Sequence, residues 1–201
     1  MNHSSDIDHG NHAARKPHIV GIGGTTKPGS STEKALAATL LAAERIGART
    51  TLFSGPVLAQ LPLYAPEESA RCELQLQFVD AIRHADGLIL ATPAYHAGIS
   101  GLLKNAVDLL EDLRDDSRPY LHDRAVGCII TAHGWQGAGT TLTSVRTIIH
   151  ALRGWPTPLG VTLNTLESLF DECGTCVDEK VQVQFAMLAA QVVGFATRMR
   201  H

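Results

Sequence analysis

Hydrophobic positions along this chain follow two alternating patterns. Short unbroken apolar runs recur, and after most of them the apolar residues fall at the helical period. His18–Gly23 (HIVGIG) is the first run, closed by glycines, and reads as a strand. Behind it Leu36, Leu40, Leu41 and Ile46 recur near every fourth position with alanine between them, which predicts a helix over residues 33–46. Ser31 or Thr32 stands where its N-cap belongs. Residues 50–53 read as a second strand, and 55–69, with Pro56, Pro62 and Pro66, as irregular. Leu74, Phe78, Val79 and Ile82 line one side of a helix predicted over 68–84. Residues 87–92 (GLILAT) make a buried strand, and Leu103, Ala106, Val107, Leu110 and Leu113 form a broad apolar stripe on a helix over 101–113. A charged loop over 114–123 leads into a fourth buried strand, Ala125–Ala132 (AVGCIITA). A glycine-rich stretch over 133–139, a helix over 140–152, a strand over 160–163 and a helix over 178–198 complete the chain.

Strands alternating with helices over the whole length predict right-handed crossovers and a parallel sheet. The expected fold is an α/β doubly wound sheet of five strands with helices on both faces, one domain over 18–201. In such a sheet, ligands bind in the crevice outside the carboxyl ends of the strands. Residues 1–17 are polar and read as a disordered tail; His3, His9 and His12 in it show no metal-ligand spacing, and no metal site is expected.

Composition narrows the function. Hydrophobic residues make up 44% and charged residues 18% of the 201, and the net charge is −3, so neither a nucleic-acid nor a membrane-surface partner is indicated. No apolar run reaches membrane-spanning length, and the first eighteen residues lack the apolar core of a secretory signal, which makes a cytoplasmic protein the expectation. Four cysteines make no disulfide framework.

Two loops carry candidate chemistry. The first, 24–32, follows a strand and opens a helix, the arrangement that binds anions through exposed N–H groups and the helix dipole. It adds the hydroxyls of Thr25, Thr26, Ser30, Ser31 and Thr32 and one cation, Lys27, a set suited to a phosphate dianion. It is neither dinucleotide fingerprint nor NTPase loop: Thr26 takes the third glycine position of the one, and Ser30 follows Gly29 where the other needs lysine. The same residues also suit a hydroxyl-capped helix after a tight turn. The second loop, 92–100, has one proline, one glycine and few bulky side chains, and so offers its backbone to something flat.

With both loops in view the chain resembles the NAD(P)H-dependent FMN reductase family, over about residues 19–198. That family's first loop reads roughly G-S-x-R-x-x-S-x-N, met here by Gly24, Thr25, Lys27, Ser30 and Thr32 with lysine for arginine and threonine for asparagine. Its second signature, P-x-Y-x-x-x-x-x-G-x-L-K-N-A-x-D, is met by Pro93, Tyr95, Gly101, Leu103, Lys104, Asn105, Ala106 and Asp108. The resemblance implies a flavodoxin-like fold with strand order 2-1-3-4-5, FMN as cofactor, and NADH or NADPH as co-substrate. It implies that Thr25, Lys27, Ser30, Ser31 and Thr32 hold the FMN phosphate and that Pro93, Ala94, Tyr95, His96 and Gly98 line the flavin ring. His133, Gly134, Gln136 and Gly137 are implied as a third contact near the pyrimidine edge.

The implied activity is an NAD(P)H:FMN oxidoreductase that supplies reduced flavin to a two-component monooxygenase. An alternative keeps FMN bound and reduces quinones, azo dyes, nitro compounds or metal oxyanions. The flavin-releasing subgroup often has a tyrosine inserted in the helix after the fourth strand, and residues 140–152 contain none. A flavodoxin-like electron carrier is the third reading, opposed by the modest charge and the 5% aromatic content. No basic cluster marks a choice between NADH and NADPH. The stripe on 101–113 exceeds what one sheet face requires, and with the resemblance it leads us to expect a homodimer or homotetramer. Cys173 and Cys176 form a C-x-x-C before a helix, but lie far along the chain from both loops, which argues against a redox role.

Overall fold

In the central strands successive side chains point to opposite faces, and both faces are apolar. Val20, Ile22, Leu88, Leu90, Val126, Cys128 and Ile130 enter one hydrophobic layer. Ile19, Ile89, Ala91 and Ile129 enter another. A strand buried on both sides shows no polar alternation, which is why these segments read as continuous apolar runs. A computed structural model describes residues 15–199. Most of the tail expected over 1–17, with His3, His9 and His12, lies outside the described residues.

Strands β1 (His18–Gly23), β2 (Arg49–Ser54), β3 (Gly87–Pro93), β4 (Ala125–Ala132) and β5 (Trp155–Asn164) form one parallel sheet in the expected order β2-β1-β3-β4-β5. Helices α1 (Ser31–Arg45) and α6 (Glu179–Arg198) cover one face. The short α2 (Gly55–Leu58), α3 (Glu73–Arg83), α4 (Gly101–Asp108) and α5 (Gln136–Ala151) cover the other. From β1 the chain goes outward to β2 and returns on the opposite side at β3. The switch point, where a ligand crevice is expected, therefore opens between the carboxyl ends of β1 and β3.

Several boundaries depart from the sequence reading. The N-cap of α1 is Ser30, not Ser31 or Thr32: its backbone is extended and its hydroxyl accepts the Glu33 N–H at 3.3 Å. The segment read as irregular contains α2, with Pro56 in its first turn, where proline's fixed φ and missing N–H are harmless. Helix α3 begins at Glu73 rather than 68, because the Cys72 N–H donates to the Gln75 side chain at 3.0 Å and closes the end. Residues 65–71 are gathered instead by Arg71, which donates to the carbonyls of Ala65 and Glu68 and pairs with Asp112 at 2.8 Å. Helix α4 gives way to a 3-10 turn over Leu109–Leu113. Helix α5 starts at Gln136, ahead of the expected 140. Strand β5 runs over Trp155–Asn164 rather than 160–163; it is an edge strand, which tolerates Pro156 and Pro158. Its pairing with β4 shifts register between Val126 and Cys128.

One correction bears on assembly. Leu103, Ala106, Val107, Leu110 and Leu113 are each 4% exposed or less within the single chain. The stripe that suggested an oligomer is thus consumed by the chain's own core and leaves no surplus apolar face. Among the described residues, no helix is long and apolar enough to cross a membrane.

At the opposite, amino end of the sheet a charged cluster closes the fold. Asp86 accepts the His18 N–H at 2.8 Å and pairs with Arg15 at 2.9 Å. The His18 ring is buried; Nε2 lies 2.9 Å from the Thr51 hydroxyl and Nδ1 makes no hydrogen bond. Burial first, then the charge of Arg49 and more weakly of Arg15, hold its pKa below 6.5, against the opposing pull of the His84 carbonyl and Asp86. The ring therefore takes up a proton less readily in the fold than in the unfolded chain, where it does so once the pH falls below about 6.5. The unfolded state then binds the extra proton, so this contribution to stability is complete above that pH and is lost as acid is added. We expect the melting temperature to fall as the pH is lowered below about 6.5, and a His18→Gln variant to show a shallower acid-side slope. A slope identical to wild type would refute the assignment.

Candidate functional site

Parallel neighbouring strands end side by side, so the loops after β1, β3 and β4 must meet at one rim. Glycine lets them meet closely. A Cβ on Gly23 would lie 1.9 Å from the Ala91 carbonyl oxygen, and Gly23 has φ of +147°, a region side chains avoid. Next to it, the Gly24 N–H reaches the same carbonyl at 3.4 Å.

The first loop holds most of its predicted residues at the surface. Lys27 is exposed, and the Thr25 hydroxyl turns back to accept the Lys27 N–H at 3.2 Å. Ser30 caps α1, and Ser31 lies half-buried at its first helical position. The N–H groups of Ser31 and Thr32 have no carbonyl one turn back to bond, as in the first turn of any helix. Thr32 departs from the rest. Its side chain is 2% exposed, and its hydroxyl lies 2.6 Å from that of Thr131 at the end of β4. That contact ties the start of α1 to the end of β4 through the Thr32 hydroxyl.

The second loop is a tight reverse turn. The Gly98 N–H donates to the Tyr95 carbonyl at 2.9 Å, and the two central residues, His96 and Ala97, have φ of +51° and +60°. Left-handed conformations in residues other than glycine cost on the order of 1 kcal/mol each and gather at functional sites. The turn is held from below: the Ala94 N–H donates to the Thr131 carbonyl at 2.7 Å, and the Thr92 hydroxyl accepts the Ser100 N–H at 2.9 Å. Pro93 is buried at the strand end, whereas Tyr95 and His96 are exposed. The third loop abuts it, with a Cβ at Gly137 falling 3.7 Å from the Ala97 Cα. His133 and Gln136 are exposed, and the Gly134 N–H donates to Asn164 Oδ1 at 3.0 Å. Helix α5 starts here with no capping side chain and no acidic residue in its first turn. Its N-terminal amides thus present an uncompensated positive dipole end.

The loops after β1, β3 and β4 therefore meet at one rim, where Thr32 touches Thr131 and Gly137 packs against Ala97. A cleft of about 460 Å³ lies elsewhere, lined by Tyr64, Val107, Glu111 and Arg114 among others, and contains no residue of these loops. The polar residues of the second signature are scaffold. Lys104 pairs with Asp108 at 2.7 Å, while Asn105 accepts the Tyr64 N–H at 2.8 Å and donates to the Pro62 carbonyl at 3.0 Å.

The sequence of NADPH-dependent FMN reductases, taken as a family model, matches residues 17–165. The chain belongs to that family. An NADPH azoreductase of Bacillus sp. (strain OY1-2) is 32% identical over 118 residues, 58% of this chain and 63% of that relative. An FMN-dependent NADPH-azoreductase of Staphylococcus haemolyticus (strain JCSC1435) is 28% identical over 120 residues, 59% of this chain and 60% of that one. The chain thus aligns with about three fifths of the length of these curated relatives. An NADH:FMN oxidoreductase solved in its apo form superposes with a TM-score of 0.71 at 21% identity, covering 91% of this chain and 90% of that one, a likeness of fold.

For this FMN reductase family member, three residues of the site carry no clear sequence signal. Thr131 near the end of the buried β4 and Asn164 at the end of the edge strand β5 each put a polar group at a strand's carboxyl end, the one hint available. Gly55 packs under the first loop: a Cβ on it would lie 1.9 Å from the Thr25 carbonyl oxygen. The C-x-x-C lies nearer the site than its place in the chain suggests. Residues 170–176 form a hairpin whose Gly174 sits against the Lys34 side chain in α1, 3.4 Å from it for an added Cβ. Cys173 is exposed, whereas Cys176 is buried, with its thiol donating to the Asp178 carbonyl at 3.6 Å. Burial pushes the Cys176 pKa up, the opposite of an activated thiol.

Proposed function

We propose that this chain is an NAD(P)H:FMN oxidoreductase whose cofactor lies in the rim groove. The observation that carries the reading is the left-handed turn at His96 and Ala97 standing against the uncapped start of α5, one strand away from a hydroxyl-rich helix start. The donor set fits FMN at both ends. Lys27, the hydroxyls of Thr25, Ser30 and Ser31, and the first amides of α1 suit a phosphate. The backbone of Ala94 to Gly98, with Pro93 beneath, offers a flat contact for the ring, and Tyr95 and His96 stand beside it. FMN bound there supplies the hydride-accepting centre. The first-turn amides of α5, with Gly134, His133, Gln136 and Gly137 around them, favour negative charge at the pyrimidine edge. No side chain of the groove is assigned a proton transfer.

The test is nicotinamide oxidation by the purified chain with and without added FMN. FMN-dependent oxidation of NADPH or NADH is expected; oxidation of neither, with flavin and a quinone or azo acceptor present, would refute the reading. A second reading, an FMN-retaining reductase of azo, quinone or nitro compounds or metal oxyanions, is supported by the azoreductase relatives and by the absence of tyrosine from α5. A preparation still yellow after gel filtration favours it, and a colourless one favours flavin exchange with a partner monooxygenase. A cytoplasmic homodimer or homotetramer goes with either reading, on the family resemblance alone, and light scattering reads it.

A further inference from the structure

We infer that Glu33 is a competitor built into the phosphate cradle, which weakens FMN binding and makes the flavin an exchanging ligand. This rests on the FMN reading of the groove. Glu33 is the acidic residue in the first turn of α1, and its Oε2 accepts the Gly29 N–H at 3.3 Å. Gly29 sits at the mouth of the first loop with φ of +67°, and nothing lies within 4 Å of where its Cβ would be, so its surroundings are open. A carboxylate thus already engages an amide of the loop immediately before the cap of α1, beside the groups assigned to the phosphate. It also places a negative charge beside the intended site of a dianion.

Among the described residues, Glu33 forms no ion pair. Lys34, the next residue on α1, is drawn the other way: its Nζ lies 5.9 Å from the Phe170 ring centre and its stem runs along Gly174. Lys27 is the cation of the loop itself. The start of α5 makes the contrast, since it has neither a capping side chain nor an acid. One helix start at the rim has no acid in its first turn, and the other carries a carboxylate that reaches back to the loop just before it. A phosphate bound at the first loop must sit close to that carboxylate.

The test is flavin affinity of the apoprotein, read by quenching of flavin fluorescence, for wild type, Glu33→Gln and Glu33→Ala. Riboflavin, which has the ring but no phosphate, is titrated in parallel, and melting temperatures confirm folding. Glu33→Gln keeps the shape and removes the charge; Glu33→Ala removes both. Both are expected to lower the FMN Kd about five- to tenfold, the effect of relieving one close like-charge contact in a solvated site. Riboflavin affinity should stay within about twofold of wild type on the same scale. Unchanged or weaker FMN binding in both variants overturns the inference and leaves the FMN reading intact. Equal tightening of riboflavin also overturns it, because the effect would then not lie at the phosphate. If wild type binds neither flavin, the FMN reading itself falls, and this inference with it.

Discussion

A Gly55→Ala variant is expected to lose at least about tenfold in FMN affinity while still folding. The added methyl would lie 1.9 Å from the Thr25 carbonyl oxygen and 2.5 Å from the Thr25 nitrogen, far inside ordinary contact. Gly24 presses from the same side, 2.8 Å from the Gly55 nitrogen for its own added Cβ. Something must move by more than an ångström. The start of α2 is the better anchored side: Ser54 before it is in register with Gly23 across the sheet, and Leu58 within it is 1% exposed. The first loop is therefore the part that yields. Its hydroxyls and Lys27 then leave the geometry that the first amides of α1 complete, and misplacement on that scale costs a site far more than it costs a fold. Overpacking of this kind costs about 1–3 kcal/mol in stability. Gly194→Ala is the control. It lies inside α6, its Cβ meets only the tip of Arg198 at 3.6 Å, and it should leave flavin affinity unchanged. Fluorescence titration of both variants decides the matter; a Gly55→Ala protein that binds FMN like wild type would show that the first loop does not hold the phosphate.

What could be read from the sequence follows from where each signal is stored. The central strands were legible because burial on both faces leaves an unbroken apolar run, as in GLILAT and AVGCIITA. Of the two edge strands, β2 was read to within a residue at each end, but only the last part of β5 was, because β5 carries Pro156, Pro158 and an exposed Trp155, which a central strand would exclude. The start of α5 was missed because Gly137, Gly139 and Thr140 look like loop, and no capping residue marks the end. The second signature was legible for a structural reason. Lys104, Asn105 and Asp108 brace α4 and the segment at Tyr64, and so fix the helix that follows the turn. The left-handed turn itself left no mark, since neither His96 nor Ala97 is a residue that favours positive φ as glycine does. Contacts such as that between Thr32 and Thr131, 99 residues apart, have no local period to betray them. Distance along the chain also misled at Gly174, which lies against α1 although 140 positions separate it from Lys34 (174 − 34).

At the other end of the sheet, Arg124→Met is expected to be the most destabilising of these substitutions, by about 3 kcal/mol. Arg124 is fully buried. Its Nε donates to the Ala85 carbonyl at 3.0 Å, and its two terminal nitrogens donate to the carbonyls of Tyr120 at 2.7 Å and Arg83 at 2.8 Å. Burial, and then the nearby charge of Arg118, bring its pKa down to about 10, so it remains charged at neutral pH. The fold keeps a costly charge because the planar fork of donors joins the end of α3, the Ala85 turn and the loop before β4 at once. Methionine fills much of the volume and removes the charge. The Ala85 carbonyl keeps the Arg118 guanidinium as a donor at 3.1 Å, but the carbonyls of Tyr120 and Arg83 lose theirs, and each buried group so left costs about 1–3 kcal/mol. Relief of the buried charge offsets part of that sum, as replacement of buried ions by apolar residues often does. In a chain of this length the net loss corresponds to a fall of roughly 6–12 °C in melting temperature. Arg124→Lys should recover only part of it, since an ammonium is a point donor and lacks the fork. Because this cluster sits at the amino ends of the strands and the groove at their carboxyl ends, flavin affinity measured well below the melting temperature should be unchanged. Calorimetry and titration on the same preparation separate the two: a melting temperature within about 2 °C of wild type would mean that water or neighbouring donors satisfy the carbonyls after all.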